Sequence, residues 1–541
     1  MALRQGNREQ IRMLPSSIEE YVPEDAPVRA YDAFVEALDL RKLGVKIDPQ
    51  KEGNSSYDPK AMLKLLVYGY SYGVRSSRKL EREIYYNLSF IWLMGGLKPD
   101  HKTIAEFRRK NKGALKMALK QCVRLCLKLD LIAGNVLFVD GSKIRANASI
   151  KNTWTTEKCQ KVLAKVDQRI AEIISAAEAV DREEEGMPSL VMVSQELGDA
   201  EAIKKRVKEI MAELEESEEK TLNTVDKECA RINSVQGTHA GYNTQVVVDD
   251  KNGLIVSSDA VRTNNDLGQF SQQIDKAQEQ LGKKCQTAVA DSGYAYTDDL
   301  AKVDEQGVQV IVPTQRLASR REIGEFDKRN FRYDTEKNCY ICPKGEVLRY
   351  SGRTQRRNGK SYEMENRGVC LKCPEFGRCT TAQRGRKVTR LDKESLRVRL
   401  EQEFALSPNK EIYKRRQQKV ELVFGHIKRN LGVTSFLLRG LEGVCAEMSV
   451  LSICFNLRRM MTILGTRGLI QELQRVIPHN IVNHLPSLWP KTKTFLGMPY
   501  IDCTPDNILI VATQPDCEAR SDEAISGSEN SIMYANKKWR L

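Results

Sequence analysis

Val136-Leu-Phe-Val-Asp140-Gly-Ser142 is the stretch on which the fold turns. A short apolar run rich in β-branched and aromatic residues, closed by Asp-Gly, reads as a buried strand. A second run, Thr287-Ala-Val-Ala-Asp291-Ser-Gly293, closes in the same way. Aspartate before Gly or Ser at a strand end is ordinarily a turn residue. The elements around these two argue for more.

Working outward, strands are predicted over 135–144, 243–249 and 254–261, the last two joined by the hairpin turn Asp250-Lys-Asn-Gly253. Asn265-Asp266 is expected to cap a helix running to 281. A strand over 285–291, a helix over 297–306 and a strand over 308–313 follow. A basic helix then carries Lys419-Val-Glu421-Leu-Val-Phe-Gly-His-Ile-Lys428. Strand, hairpin, helix, strand, helix, strand, helix is the order of a ribonuclease-H-like α/β domain with a mixed sheet, expected over 131–465. In that fold adjacent parallel strands bring Asp140 and Asp291 together, and Glu421 comes from the later helix. Like charges so close repel unless a cation neutralises them. Hard divalent cations take such oxygen ligands, and two ions share a bridging carboxylate in phosphoryl transfer. The expected cofactor is therefore two Mg2+ (or Mn2+) ions on Asp140, Asp291 and Glu421.

Residues 1–130 read as an all-helical domain. Asp58-Pro59 opens one helix, Ser76-Ser77 is placed to cap another, and Asp100 or Thr103 to cap a basic one. Short helices with basic faces suit double-stranded DNA, although a packing or dimerisation role is open. Two insertions interrupt the α/β domain. The first, 157–220, is a charged helical hairpin with a break at Gly186-Met-Pro188. The second, 316–400, is basic and holds Cys339-x2-Cys342 and Cys370-x2-Cys373, followed by Cys379. Pairs so spaced predict structural Zn2+ on Cys339, Cys342, Cys370 and Cys373, with Cys379 as a substitute ligand. Reduced thiols without metal are the alternative. The tail, 466–541, loses periodicity and is expected to be partly disordered.

The chain of 541 residues carries a net charge of +14, which favours a polyanionic partner. The charge is concentrated: residues 101–130 hold nine Lys/Arg against two acids, and residues 408–430 seven against two. No apolar run is long enough for a membrane span. The N-terminus shows no signal-peptide core, so a cytoplasmic protein is expected. No Gly-x4-Gly-Lys-Ser/Thr loop occurs, so no nucleotide cofactor is implied.

Several stretches resemble insertion-sequence DDE transposases, in the branch with a helical N-terminal domain and a cysteine-bearing insertion. They include Lys98-Pro-Asp-His-Lys-Thr-Ile-Ala-Glu-Phe-Arg108, Val139-Asp-Gly-Ser-Lys-Ile-Arg-Ala-Asn147, Gly241-Tyr-Asn-Thr-Gln245, Ala290-Asp-Ser-Gly-Tyr294 and Val420-Glu-Leu-Val-Phe-Gly-His-Ile-Lys428. The resemblance spans about 10–465. It implies that Asp140, Asp291 and Glu421 are the catalytic acids. It also implies a homodimer that cuts and rejoins its element's DNA ends, with a nuclease or a non-catalytic DNA-binding protein as the other readings. Many relatives carry Tyr and Arg seven and four residues before the Glu and Lys seven after. Here Tyr413 and Arg416 fall one residue out of phase. At about 100° per residue, Lys414, Gln417 and Lys428 lie within about 40° of Glu421, and Arg416 about 140° away. Either the helix starts after Arg416 or Lys414 takes the phosphate. Lys428 suits the phosphate under both readings, and Lys143 is a further candidate for backbone contact.

Overall fold

Asp58 and Pro59 set the start of the first long helix. Asp58 accepts from the Lys60 amide at 3.0 Å, and Pro59 takes a first-turn position whose N–H would have no partner. The computed structural model describes residues 17–45, 56–183, 191–217, 220–234, 237–318, 324–354 and 359–476. Its N-terminal region is helical, with α1 (Pro27–Glu36), α2 (Pro59–Ser71) and α3 (Lys112–Lys128) as main elements. The helix His101–Lys110 precedes α3 and is capped by Asp100, which accepts from Thr103 N at 2.7 Å. Ser76 takes the N-cap position before Ser77–Tyr86 without a side-chain bond.

A mixed α/β sheet domain follows. Its strands are β1 (Val136–Arg145), β2 (Ala230–Ser234), β3 (Gly237–Asp249), β4 (Ile255–Val261), β5 (Thr287–Val289) and β6 (Gln309–Ile311). β3 is central to the antiparallel half and pairs with β1, β2 and β4. β1 then pairs in parallel with β5, and β5 in parallel with β6. The 250–253 hairpin forms as expected, while the strand expected over 285–291 shortens to three residues. The register Phe138↔Val289, carried two residues further, sets Asp140 level with Asp291.

The charged insertion forms the antiparallel pair α4 (Thr156–Glu183) and α5 (Val191–Glu216), packed on each other around Cys159, Val207, Ile210 and Leu214. Its break at 186–188 lies outside the described residues. Helix α6 (Phe270–Leu281) is not capped by Asp266. Asp299, in α7 (Thr297–Asp304), accepts from the Phe270 amide at 2.8 Å and replaces the expected local cap. The cysteine-bearing segment is a second sheet, antiparallel throughout. Its strands are β7 (Arg332–Asp334), β8 (Cys339–Ile341), β9 (Val347–Thr354), β10 (Gly359–Met364) and β11 (Lys387–Leu391). Its core is small: Phe331, Tyr340, Leu348, Tyr362, Met364 and Val388.

Two further helices complete the main core. α8 (Ser407–Gly425) crosses β1, and α9 (Leu441–Leu464) packs on α2, α3 and β4. α9 is buried almost all round, and its polar residues make long-range bonds. Asn456 accepts from Ile255 N and donates to Ile255 O, both at 2.8 Å, fixing the helix to the start of β4. Buried Glu447 accepts from the amides of Leu437 (2.8 Å) and Leu438 (3.0 Å) and pairs with Arg75. The tail, expected to be partly disordered, begins as α10 (Thr466–Val476). Its Leu469 and Leu473 are fully buried, and it packs on α1. Residues 477–541 of the expected tail lie outside the described residues. The N-terminal helices and the mixed sheet share one continuous core.

Candidate functional site

Asp140 lies inside β1, opposite Val246 of β3, and its Oδ1 accepts from the Gly141 amide at 2.9 Å. Asp291 lies just past β5 and caps a short 3-10 turn, accepting from Gly293 N at 2.8 Å. The glycine near each acid has a steric reason. A Cβ on Gly141 would stand 2.6 Å from both Asp266 Oδ1 and Gln245 Nε2. One on Gly293 would stand 2.9 Å from Asp291 Oδ1 and 3.4 Å from Asp266 Oδ2. Gly141 is thus no turn residue: it lets a third carboxylate approach the strand.

That carboxylate, Asp266, has no forerunner in the sequence reading beyond a helix cap. Asp266 Oδ1 accepts from Asn243 Nδ2 and Gln245 Nε2, each at 2.8 Å. Both amides are buried and alternate along β3, so they share a face. Gln245 Oε1 in turn accepts from the buried Tyr294 hydroxyl. The motifs 241–245 and 290–294 therefore meet in one network. Burial pushes the Asp140 carboxyl up to about 6; Asp291 and Asp266 add repulsion, while Arg416 opposes the rise. Burial and the same three aspartates push the Tyr294 hydroxyl well up.

Among the described residues, Arg416 is the cation that pairs with Asp140. Its Nη1 stands 3.5 Å from Asp140 Oδ2, with the two side chains only 13% and 17% exposed. Its guanidinium also lies over the Tyr413 ring, 5.6 Å from the centroid. Tyr413 packs edge-on against Phe404, and burial raises its phenol. α8 starts at Ser407, before Arg416, so the helix does not begin after Arg416 as one resolution of the phase mismatch required. The inward face is Tyr413, Arg416, Val420 and Phe424, and Lys414 is exposed. Glu421 follows buried Val420 and is exposed; the carboxylates felt by Asp140 are those of Asp291 and Asp266.

Past Gly425 the helix widens into a π turn, His426–Asn430. The extra residue in that turn shifts the helical phase. Lys428 reaches β1 there, donating from Nζ to Ser142 Oγ at 2.7 Å. Ser142 shares the strand face of Asp140 by the two-residue period. Lys143 takes the other face and donates to Asn233 O at 3.0 Å. His426 packs on Phe455.

The four expected cysteine ligands do not converge. Strand β8 puts Cys339 and Cys342 on opposite faces, and Cys339 is buried. Cys342, Cys370, Cys373 and Cys379 instead line one cavity. Among the described residues, no three His, Cys, Asp or Glu side chains stand ready arranged for a metal ion. The chemistry of the acidic centre nonetheless fits a divalent cation. Burial, joined by repulsion from Asp291 and Asp266, raises the Asp140 carboxyl against the opposing charge of Arg416 and the Gly141 amide.

Two family models match parts of the chain, one in the helical N-terminal region and one running from the second sheet through α8 into α9. A transposase domain model matches residues 16–110, and a transposase DDE domain model matches residues 341–461. The two matches support an insertion-sequence DDE transposase. The second match includes Arg416, Glu421 and Lys428 but begins after Asp140 and Asp291. Comparison with curated proteins and with solved structures finds no match.

Proposed function

We propose that this protein is a DNA transposase that binds the inverted terminal repeats of its own element as a homodimer, cleaves at the element ends and joins the 3′-hydroxyls to target DNA. The observation that carries the reading is the parallel pairing of β1 with β5, whose register brings Asp140 level with Asp291. The strand order β4-β3-β1-β5-β6, antiparallel then parallel, supports a ribonuclease-H-like core. In this reading Asp140 and Asp291 hold two magnesium or manganese ions, and Glu421 completes the set from the solvent side of α8. Bound there, the ions would polarise the phosphoryl oxygens and lower the pKa of the attacking hydroxyl.

The chain's own residues do the positioning. Arg416, fixed over Tyr413, is set to exchange Asp140 for a non-bridging phosphate oxygen, a planar fork suited to that contact. Lys428 on Ser142, with Lys143 and exposed Lys414, would hold the DNA backbone beside the strand end. The basic helices before β1 would take further phosphate contacts.

The test is cleavage and strand transfer on DNA carrying the element ends. Asp140→Asn, Asp291→Asn and Glu421→Gln should each abolish cleavage and leave DNA binding nearly intact. Full cleavage by any one of them would remove that residue from the site. Pre-cut ends that are bound but never joined would favour a nuclease of the same fold.

A further inference from the structure

We propose that the second sheet carries a structural zinc site whose ligands are Cys342, Cys370, Cys373 and Cys379, with Cys339 excluded. This inference does not depend on the proposed transposition chemistry.

The four cysteines come from two separated segments and line one cavity of about 300 Å³, together with Pro343, Pro374 and Arg386. They lie close enough to act on one another. The Cys379 thiol is pushed up by burial and then by the sulfurs of Cys370, Cys342 and Cys373, against the pull of Arg386. None is in a disulfide, although all four are partly exposed. Cys339 is absent from this set because a strand turns alternate residues to opposite faces. Tyr340, its neighbour, joins the aromatic core against Tyr362, with ring centroids 5.1 Å apart. Cys342, two positions on, lies on that side.

The backbone around the sulfurs is built to hold thiolates. Gly345, at φ +88°, closes a tight turn: its amide donates to Cys342 O at 2.8 Å, and the Cys342 amide donates to Glu346 O at 2.8 Å. That turn aims the Glu346 amide at Cys342 Sγ, 3.3 Å away. Gly385, at φ +79°, does the same on the other side. The next amide, Arg386 N, donates to Cys370 Sγ at 3.5 Å, and a Cβ on Gly385 would stand 3.2 Å from that sulfur. Amide donation to sulfur favours the thiolate, which is the ligating form. The Arg386 guanidinium, anchored on Cys379 O at 2.9 Å and Phe326 O at 3.1 Å, adds positive charge beside a tetrathiolate centre.

The sheet also needs a staple. Six buried residues are a small core for five strands and the long segment between β10 and β11, whose only helix is the short Arg367–Lys372. Four soft thiolates from two segments select a tetrahedral ion such as zinc. As the side chains stand, no three of them are arranged for an ion, so loading must draw them together. Each cysteine has one side-chain torsion to adjust, which keeps the ordering cost low.

The experiment uses the full chain, purified with and without added zinc. Elemental analysis should find one zinc per chain. Alkylation with and without a chelator, read by peptide mass spectrometry, should show chelator-dependent labelling at Cys342, Cys370, Cys373 and Cys379 and no chelator dependence at Cys339. Cys339→Ser should keep the zinc, and Cys379→Ser should lose most of it. Metal-free protein, iron in place of zinc, or loss of zinc in Cys339→Ser would each overturn the proposal. The alkylation result stands even where a variant does not fold.

Discussion

Arg416 Nη1 lies 3.5 Å from Asp140 Oδ2, so the helix carrying the last of the matched motifs places its guanidinium on the first aspartate. The pair links residues 276 positions apart in the chain. It couples the charge state of the acidic centre to one arginine side chain. Arg416→Ala should slow cleavage by about 10²-fold, the usual cost of one charged donor at a phosphoryl-transfer site. DNA binding should change much less. Arg416→Lys should recover only part of the rate, because a point charge lacks the two-pronged fork. Rates measured against binding by gel shift decide this; equal losses in both would make Arg416 a plain DNA contact.

The raised Asp140 carboxyl has a stability consequence. Its folded value of about 6 lies above the ordinary carboxylate range, so between those values the folded state binds more protons than the unfolded one. Stability contributed by this group is therefore lost as pH rises from about 4 to 6. Asp140→Asn should raise the melting temperature at pH 7 and do little at pH 4, an effect of at most about 3 kcal/mol. Magnesium should raise the wild-type melting temperature at pH 7 and leave Asp140→Asn unmoved. Calorimetry across pH checks both.

Asp266 anchors the amides of Asn243 and Gln245, and Asp266→Asn would set an amide donor against them. Cleavage should fall by about tenfold or more from misplacement of the acids, with the fold retained, since each lost bond to a charged acceptor costs roughly 1.5–3 kcal/mol. Asn243→Ala should produce a smaller loss of the same kind. An unchanged cleavage rate in Asp266→Asn would leave the residue outside the site.

Gly141→Ala should destabilise the protein by about 1–3 kcal/mol, the range for an overpacked position. Its Cβ would meet Asp266 Oδ1 and Gln245 Nε2 at 2.6 Å. Gly113→Ala, in α3, meets nothing within 4 Å and should be neutral or slightly stabilising. Chemical denaturation of the pair separates packing from any general effect of alanine.

Glu447→Gln would leave Arg75 with a neutral partner in a buried setting. Removing one member of such a pair costs about 3–5 kcal/mol. The variant should unfold at lower denaturant with its α9 contacts loosened first, visible as faster amide exchange over 435–447.

Much of the site was legible along the chain because its signals are local. Apolar runs with stops, the hairpin turn and Pro59 behind Asp58 are decided within a few residues. Asp140 and Asp291 could be paired because parallel strands joined by a helix follow from element order. Asp266 was not legible, since its cap position looked complete in sequence and only Asp299, from α7, displaced it. The sequence did not set α10 apart from the tail, because its buried leucines are defined by their packing on α1.

The sequence by itself determined the strands, the two strand-end aspartates and the basic character of the α8 helix, because periodicity and charge are properties of neighbours. Only the tertiary structure decided which face of α8 meets the acids. The sequence places Arg416 by its angle from Glu421, but a helix turns its face to whatever buries Val420 and Phe424. Those apolar residues seat against the core, and that carries Arg416 to Asp140 and leaves Glu421 on the open side. The same reason separates Cys339 from Cys342: spacing in the chain is local, but the strand's two faces belong to the sheet.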